Sequence, residues 1–280
     1  MNNIKIIYDT MNDLPENIDG KYDIDMLPTT IIFQGKEYKA GVDIDNDEFY
    51  KLLRDNKEIP TTSQVTYMTF KETFEKYVKE GKKVLYMAGS SKGSGTYQSA
   101  MLAKNDIESD DIYIFDTYSL CIGGGLLVLE AAKMVEEGLD IDTIIKKLEE
   151  YKDKVQVYFS VDSLDYLYKG GRISGTKAAV GSLLNIKPIL NVKDGLVVQK
   201  SQVRGKKQIF TSLVNSLIEK YGDDLTDRTI FLGYGDNKGD LETLRETLLK
   251  HAKVKNVYDV NIGCVICSHS GPGVIGISCI

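Results

Sequence analysis

Short apolar runs alternate with longer amphipathic segments along the first half of the chain. Three runs end in polar or glycine-containing turns and predict buried strands at Ile4–Asp9, Val84–Ala88 and Ile112–Asp116. Apolar positions at helical spacing predict helices at Val65–Lys79, Gly95–Lys104, Leu120–Glu136 and Asp142–Tyr151. This alternation of strand and helix predicts right-handed crossovers and a mainly parallel sheet.

The second half adds a hairpin to the alternation. Strands are predicted at Val155–Val161, Pro188–Val192 and Leu196–Val203, and the turn Lys193-Asp194-Gly195 joins the last two. Further along, the pattern predicts helices at Ala178–Leu184, Lys206–Tyr221 and Leu241–Ala252 and strands at Thr229–Tyr234, Asn256–Ile262 and Val274–Ser278. A hairpin inside a strand–helix alternation predicts a mixed sheet.

The change in pattern near Asp153 predicts a domain boundary. The 280 residues suffice for one large or two small domains. We therefore predict an α/β fold with two α/β domains, residues 1–153 with a mainly parallel sheet and residues 154–280 with a mixed sheet. Because a cleft between two α/β domains is a usual ligand site, we expect the ligand between them.

Composition and charge narrow the classes of function. The chain has 35 Lys and Arg against 41 Asp and Glu, and the net charge of −6 argues against general attraction to nucleic acid or anionic membranes. Four cysteines are too few for a disulfide framework, and the first residues lack the pattern of a signal peptide. No apolar run approaches the roughly 18 residues of a spanning helix. We expect a cytoplasmic protein with no nucleic-acid partner.

The strongest local signal is the Ser/Gly loop, Gly89–Gly95, between a predicted strand and a predicted helix. Glycines let backbone N–H groups point outward, and a helix start adds partial positive charge. The hydroxyls of Ser91, Ser94 and Thr96 add donors, so the loop suits a carboxylate or a phosphate. The same residues fit a helix that is simply capped by Ser94 or Thr96.

The Ser/Gly loop also supports an enzymatic alternative. The P-loop and dinucleotide patterns are absent, but Gly89–Gly93 is a literal G-x-S-x-G, the nucleophile elbow of α/β-hydrolases. A serine esterase would use Ser91 as nucleophile, His269 as base and Asp116 or Asp165 as acid. The polar residues between Ser91 and the predicted helix weigh against this alternative.

Two other polar segments of the first half are candidate parts of a site. Pro60–Gln64 is a hydroxyl-rich helix entry in this reading, from which Thr62 or Ser63 could donate to the same anion as Ser94. Asp13 follows the first strand, where it either caps a helix that begins at Pro15 or contacts a ligand.

The second half contributes a basic residue, a histidine and a cysteine pair. Arg172 can clamp an anion, although a surface arginine with no such role has the same sequence context. His269, one of two histidines, lies in a turn constrained by glycine and proline. Cys264 and Cys267 form a CxxC without two further ligands at zinc spacing, so we interpret them as buried cysteines at a strand end.

Taken together, these motifs resemble the DegV family over the whole chain. The resemblance rests on Asp9 with Asp13–Pro15, Thr62–Gln64, Ser90-Ser91 with Ser94–Ala100, Asp116 with Ser119 and Gly123, Lys169–Ser174, Leu184–Leu190, and His269 with Gly271–Gly273. The chain departs from the family pattern at Thr10, Val65 and Gly93, where serine, proline and leucine are usual. None of these departures removes a proposed hydrogen-bonding side chain.

The resemblance implies a two-domain α/β protein that binds a long-chain fatty acid between its domains. It assigns Thr62 and Ser94 to the carboxylate, with Ser63 and the backbone of Gly95 as further donors. The resemblance further implies the role of the best understood members, which act as the acyl-carrying subunit of bacterial fatty acid kinase.

The resemblance also implies a partner. Arg172 and His269 match the pair near the carboxylate and the surface where a separate ATP-using kinase subunit makes an acyl phosphate. The chain itself is then not a catalyst and needs no cofactor or metal, and transient membrane contact is compatible with its role. A passive lipid carrier without a kinase partner is the third alternative, beside the serine esterase.

An acyl chain needs an apolar tunnel, which the sequence does not locate directly. We predict that it is formed by Ile31, Phe33, Ile122, Leu126, Phe159, Leu183, Leu184 and Ile266.

Overall fold

The computed structural model describes residues 3–18, 20–173 and 185–280. The strands of the first half are β1 (Ile4–Asp9), β2 (Ile24–Leu27), β3 (Thr30–Phe33), β4 (Lys36–Lys39), β5 (Thr61–Ser63), β6 (Lys83–Ala88) and β7 (Ile112–Asp116). Its helices are α1 (Asn46–Asp55), α2 (Tyr67–Lys79), α3 (Thr96–Ile107), α4 (Ile122–Glu136) and α5 (Ile141–Lys152).

The second half is likewise built from strands and helices. The strands are β8 (Gln156–Ser160), β9 (Ile186–Lys193), β10 (Leu196–Arg204), β11 (Asp224–Tyr234), β12 (Lys253–Asn261) and β13 (Ile275–Cys279). The helices are α6 (Asp165–Lys169), α7 (Lys207–Tyr221), α8 (Lys238–His251) and α9 (Cys264–Ser270). The predicted helix at Ala178–Leu184 lies outside the described residues.

The first sheet is parallel, as the sequence predicts. Its strand order is β2-β1-β6-β7, and all three strand pairs are parallel. Both faces are covered, because β1 is buried along its whole length and α4 contributes an almost entirely buried apolar surface. The carboxyl ends of β1, β6 and β7 therefore meet at one edge, where open α/β sheets bind ligands.

The second sheet is mixed, which confirms the predicted fold class. Its order is β10-β9-β8-β13-β11-β12, with β11 and β12 parallel and the other neighbours antiparallel. The β9–β10 hairpin turns at Asp194 and Gly195, whose φ angles are 52° and 79°. Two successive positive φ angles are typical of a type I′ turn, which matches the twist of the strands.

A small third sheet, strand β2 and the three helices α1, α6 and α9 were not predicted. The antiparallel order β4-β3-β5 makes Thr62 part of a strand, opposite Ile31, and not part of a helix entry. The cysteine pair lies in helix α9, so the prediction of a strand end there is wrong. These short elements are held by pairing and packing with distant residues, which a local pattern does not contain.

The two halves share a hydrophobic core. One cluster of buried residues joins Phe33 and Phe49 of the first half to Leu190 and Val265 of the second. Within the described residues, each of the two larger sheets takes all its strands from one side of residue 153. The boundary between residues 153 and 154 remains our proposal for the domain division.

Candidate functional site

A cavity of about 210 Å³ lies between the edge of the parallel sheet, the small sheet, α9 and the β9–β10 hairpin. The six residues that the sequence singles out for the carboxylate or its surroundings all line the cavity: Thr62, Ser63, Ser94, Gly95, Arg172 and His269. We call this set the anion end. The fold brings these residues together from four separate segments of the chain.

The Ser/Gly loop forms one side of the anion end. The N–H groups of Gly93 and Ser94 both donate to the Ser90 carbonyl, at 3.0 and 3.2 Å, which folds the loop into a tight turn. The Ser94 hydroxyl lies 3.0 Å from the Thr96 hydroxyl and accepts from the Thr96 N–H at 3.2 Å. Ser94 therefore sits at the first turn of α3, where backbone N–H groups favour an anion.

Gln64 holds the Ser/Gly loop against the small sheet. Its amide nitrogen donates to the Ser99 hydroxyl of α3 at 3.0 Å. A Cβ atom built on Gly95 lies 2.1 Å from the Gln64 Oε1 atom, so a side chain at position 95 would displace the Gln64 amide. Glycine at this position lets β5 and the start of α3 approach each other beside the cavity.

Thr62 and His269 form a hydrogen-bonded pair across the cavity wall. The Thr62 hydroxyl lies 2.8 Å from Nε2 of His269. Burial lowers the pKa of His269 to about 4, with a smaller contribution from the Arg172 charge, so the imidazole is neutral near pH 7. The pair can thus offer hydrogen bonds to a ligand without a fixed positive charge on the ring.

Arg172 carries the positive charge at the anion end. Its Nε donates to the Gly93 carbonyl at 3.4 Å, and Nη1 donates to the Gly170 carbonyl. Gly170 packs directly against His269, because a Cβ built there lies 2.5 Å from the His269 Nδ1 atom. The segment with Gly170 and Arg172 therefore contacts both the Ser/Gly loop and His269.

The β9–β10 hairpin provides a second contact between the two halves at the cavity. The Ser90 hydroxyl donates to the Gly195 carbonyl at 2.7 Å. Val192 and Val197, on either side of the hairpin turn, line the cavity. The hairpin thus closes one side of the cavity and is tied to the Ser/Gly loop.

The remaining wall is largely apolar. It includes Met11, Leu120, Ile122, Val157, Phe159, Leu167, Val192, Val197, Ile262, Val265, Ile266 and Val274. Of the residues that we predicted for a tunnel, Ile122, Phe159 and Ile266 are in this wall. Such a wall beside a polar end suits an amphipathic ligand.

The other tunnel predictions fall elsewhere. Ile31 and Phe33 do not line the cavity, because they are packed in the core with Phe49. Leu126 is buried in another cluster with Val157 and Phe231. Leu183 and Leu184 lie outside the described residues.

Several lining residues were not among the predicted site residues, and Thr29, Gln64 and Ser270 are the polar ones. Gln64 stood beside the residues that we selected, so adjacency alone could have indicated it. Thr29 had no such signal, since it lies in the short connection before β3, far in sequence from most other residues that line the cavity.

Two buried carboxylates lie next to the cavity. Asp9 accepts from the Tyr86 hydroxyl at 2.5 Å and from the N–H groups of Met11 at 2.8 Å and Gly89 at 3.4 Å. Burial raises its pKa. Asp9 thus ties the end of β1 to the start of the Ser/Gly loop.

Asp13 has a structural contact different from the cap that we predicted. A one-turn 3-10 helix spans Glu16–Ile18, whereas the Asp13 carboxylate accepts from the Gly263 N–H, before α9, at 2.9 Å. Burial raises the pKa of Asp13 to about 6. Asp13 therefore links the end of β1 to the helix that carries His269.

The geometry gives little support to a serine esterase. The Ser91 N–H donates to Asp116 Oδ1 at 3.2 Å, and Ser91 does not line the cavity. His269 is bonded to Thr62 through Nε2, and no hydrogen bond joins it to Ser91 among the described residues. The G-x-S-x-G pattern is thus a turn whose serine is not paired with a base.

The CxxC cysteines have protein partners. Cys264 donates to Asn46 Oδ1 at 3.1 Å, and Cys267 lies 3.3 Å from the Tyr50 hydroxyl. Burial raises the pKa of both thiols, that of Cys264 to about 12. Within residues 3–18, 20–173 and 185–280, no group of three or more His, Cys, Asp or Glu side chains could hold a metal ion. The pair is consistent with buried packing residues.

None of the helices in the described part of the chain is both long and apolar enough to cross a membrane.

The sequence matches the family described as "Uncharacterised protein, DegV family" over residues 3–280. A DegV domain-containing protein of Caldanaerobacter subterraneus is 36% identical over 277 residues, which are 99% of this chain and 98% of the relative.

Solved structures of similar proteins agree with the fold. A DegV family protein of Thermus thermophilus, described for its fatty acid binding, is 30% identical with a TM-score of 0.90 and 99% coverage of both chains. A stearic acid-binding protein of Eubacterium ventriosum is 29% identical with a TM-score of 0.88, covering 99% of this chain and 98% of the other.

Proposed function

The chain belongs to the DegV family, and from this premise we propose that it binds a long-chain fatty acid in the cavity described above. Thr62, Ser63, Ser94 and the backbone of Gly95 hold the carboxylate, and the apolar wall covers the acyl chain. The observation that carries the proposal is the joining of a hydroxyl-rich anion end to an apolar wall in a single cavity.

The acyl chain supplies most of the binding free energy. At about 0.8 kcal/mol per buried CH₂, a sixteen-carbon chain gains roughly 11–12 kcal/mol before the cost of association. The carboxylate then needs hydrogen bonds that replace its water, and hydroxyls at a helix start provide them. The head group therefore fixes position more than it adds affinity.

We propose further that the chain presents the carboxylate to a separate kinase subunit and does not catalyse the transfer itself. Arg172 and His269 face the same cavity as the carboxylate ligands, so they are suited to act near the reacting oxygen. The partner brings ATP and Mg²⁺, and the reaction depends on positioning and on neutralising charge at the phosphoryl group. The product is an acyl phosphate that remains bound by its acyl chain.

The proposal includes a cytoplasmic location and transient contact with a membrane when lipid is exchanged. It supports tunnel roles for Ile122, Phe159 and Ile266, which are cavity residues.

The experiment that tests lipid binding is native mass spectrometry of the purified protein, followed by extraction of the bound molecule. We expect a fatty acid in the wild-type protein. Ser94→Ala removes a hydroxyl from the anion end and should weaken fatty acid retention about tenfold, because bonds to a charged group contribute about 1.5–3 kcal/mol. Ser91→Ala, in the same loop but outside the cavity, is the matched control. Unchanged retention in Ser94→Ala would show that the carboxylate lies elsewhere.

Arg172→Ala separates binding from presentation. Since Arg172 contacts backbone carbonyls of its own and the neighbouring loop, we expect the variant to keep its lipid but to lose at least tenfold in the rate of acyl phosphate formation with a kinase subunit and ATP. Loss of lipid instead would make Arg172 a binding residue. Acyl phosphate formation by neither protein would favour a passive carrier.

A further inference from the structure

Thr29 has a buried hydroxyl with no partner. The residue is 3% exposed and lines the cavity. Its backbone is satisfied, because its N–H donates to the Thr10 hydroxyl at 2.9 Å and its carbonyl accepts from the Ala40 N–H at 3.1 Å. The side-chain oxygen, in contrast, makes no hydrogen bond with any residue in the described ranges.

A buried hydroxyl without a partner is costly, since it has lost water and gained nothing. Native proteins satisfy most such groups, and those left open call for a particular explanation. Because Thr29 is part of the cavity wall, a ligand there is the candidate partner for its hydroxyl.

Thr29 directly precedes β3, whose pairing with β5 brings the start of this strand to the anion end. Ile31 lies opposite Thr62, and Thr29 precedes Ile31 by two residues. Residues two apart along an extended chain point to the same face of a sheet. If the extended course of β3 is continued back by one residue, Thr29 falls diagonally opposite Thr62, with Cα atoms about 7–8 Å apart as in a regular sheet.

This separation suits a carboxylate held between two hydroxyls. Each O–H···O bond spans about 2.7 Å, so two such bonds and the width of a carboxylate cover the distance between the hydroxyls. We propose that the Thr29 hydroxyl is a further carboxylate ligand of this site, donating to the bound fatty acid from the small sheet alongside Thr62. The inference rests on the proposed function and adds a residue that the sequence motifs do not contain.

The test compares two ligands and three variants. The ligands are hexadecanoic acid, which carries the carboxylate, and its methyl ester, which has the same acyl chain without the charge. The variants are Thr29→Val, which removes the hydroxyl at nearly constant shape, Thr29→Ser, which keeps it, and Thr30→Val as control. Thr30 is the next residue of the same strand region, points to the opposite face and does not line the cavity.

Thr29→Val should bind hexadecanoic acid about tenfold more weakly than the wild type, as expected for a lost bond to a charged group. The methyl ester should lose no more than about threefold, because a bond to a neutral group is weaker. Thr29→Ser and Thr30→Val should bind the acid within about threefold of the wild type.

Equal losses for the acid and the ester, or a Thr29→Ser variant as weak as Thr29→Val, would overturn the proposal by showing that the methyl group of Thr29 matters and the hydroxyl does not. Unchanged acid binding by Thr29→Val would overturn it as well. Failure of the wild type to bind hexadecanoic acid would instead contradict the proposed function, and the two failures are thereby distinguished. Thermal unfolding without ligand checks that all three variants fold.

Discussion

Two polar clusters lie side by side at the carboxyl edge of the parallel sheet, and they are built in opposite ways. The acidic joint, Asp9 and Asp13, contains carboxylates that accept hydrogen bonds from the protein itself. The anion end contains hydroxyls, backbone N–H groups and a guanidinium that line an open cavity. In the first cluster the chain supplies both anion and donors, whereas in the second it supplies only donors.

The comparison shows that a buried carboxylate does not by itself mark a ligand site. Asp9 has three protein donors and no exposure, so no room remains for another molecule. At the anion end, Ser94 and Thr62 are only partly buried and face the cavity. In the function that we propose, the fatty acid carboxylate takes the place there that Asp9 fills from within the chain.

Glycines reflect the same difference. A Cβ built on Gly125 of α4 lies 1.9 Å from the backbone oxygen of Asp13, and one built on Gly263 lies 2.7 Å from its carboxylate oxygen. A Cβ on Gly93, beside the cavity, meets nothing closer than 3.3 Å, at Leu120 Cδ1. The backbone of Asp13 is thus packed directly against α4, whereas a Cβ atom at Gly93 would meet a leucine side chain that can adjust.

The largest expected effect comes from filling the joint. Gly125→Ala should destabilise the protein by about 3 kcal/mol, because its methyl group overlaps a backbone oxygen that no rotamer change can move. Alanine is otherwise about 1 kcal/mol better than glycine inside a helix, so any loss is steric. Gly93→Ala is the matched control, with an expected change below about 1 kcal/mol. Chemical denaturation measures both, and equal effects would mean that the two clusters do not differ in packing.

The pH dependence of the free energy of unfolding should report on one titrating group from each cluster, Asp13 and His269. The pKa of Asp13 is raised to about 6, so its contribution to the free energy of unfolding decreases as pH rises from about 4 to 6. The pKa of His269 is lowered to about 4, so its contribution to the free energy of unfolding decreases as pH falls from about 6.5 to 4. Each shift corresponds to at most about 3 kcal/mol, and the two contributions oppose each other.

Two variants separate these contributions in ligand-free protein. Asp13→Asn should make the free energy of unfolding rise more steeply with pH between about 4 and 6.5, because the opposing term is gone. His269→Gln should make the same slope more negative than in the wild type. Urea denaturation at several pH values measures both slopes. Parallel profiles for all three proteins would contradict the assignment of these protonation states.

The smallest expected effect tests the fit at the anion end. Gly170→Ala places a methyl group against the His269 ring, which is a side chain and can move. We expect loss of the Thr62–His269 bond, about 1 kcal/mol, and fatty acid binding weakened about fivefold. Lys169→Ala, one residue earlier, serves as control and should leave binding unchanged. A Gly170→Ala variant with wild-type affinity would show that the histidine pair does not contribute to the site.

The regular elements were largely predictable, because burial patterns with a period of two or 3.6 are local properties of the sequence. β1, β6 and β7 and the helices α2 and α3 follow from such patterns, as does the Asp194–Gly195 turn. The strand at Thr61–Ser63 could not be predicted in this way. Three residues are too few to show a hydrophobic period, and the strand is formed by its pairing with β3.

The site divides in the same way. Ser94 and Gly95 were recognisable from a strand–loop–helix pattern within one short segment. The apolar residues of the cavity wall were not, since Ile31 and Phe33 are as apolar as Ile122 and Phe159 but do not line the cavity. Which apolar side chain borders a cavity depends on how the sheets pack, and hydrophobicity alone does not contain that information.

The sequence by itself therefore determined the α/β class, the parallel and mixed sheets and the polar motifs, because each depends on residues close together in the chain. Only the tertiary structure decided that Thr62 meets His269 across 207 residues, that Arg172 reaches Gly93, and that Thr29 borders the same cavity. These contacts depend on the packing of two sheets and a helix from opposite ends of the chain. Such packing is a property of the folded molecule, since no short segment has enough contacts to specify it.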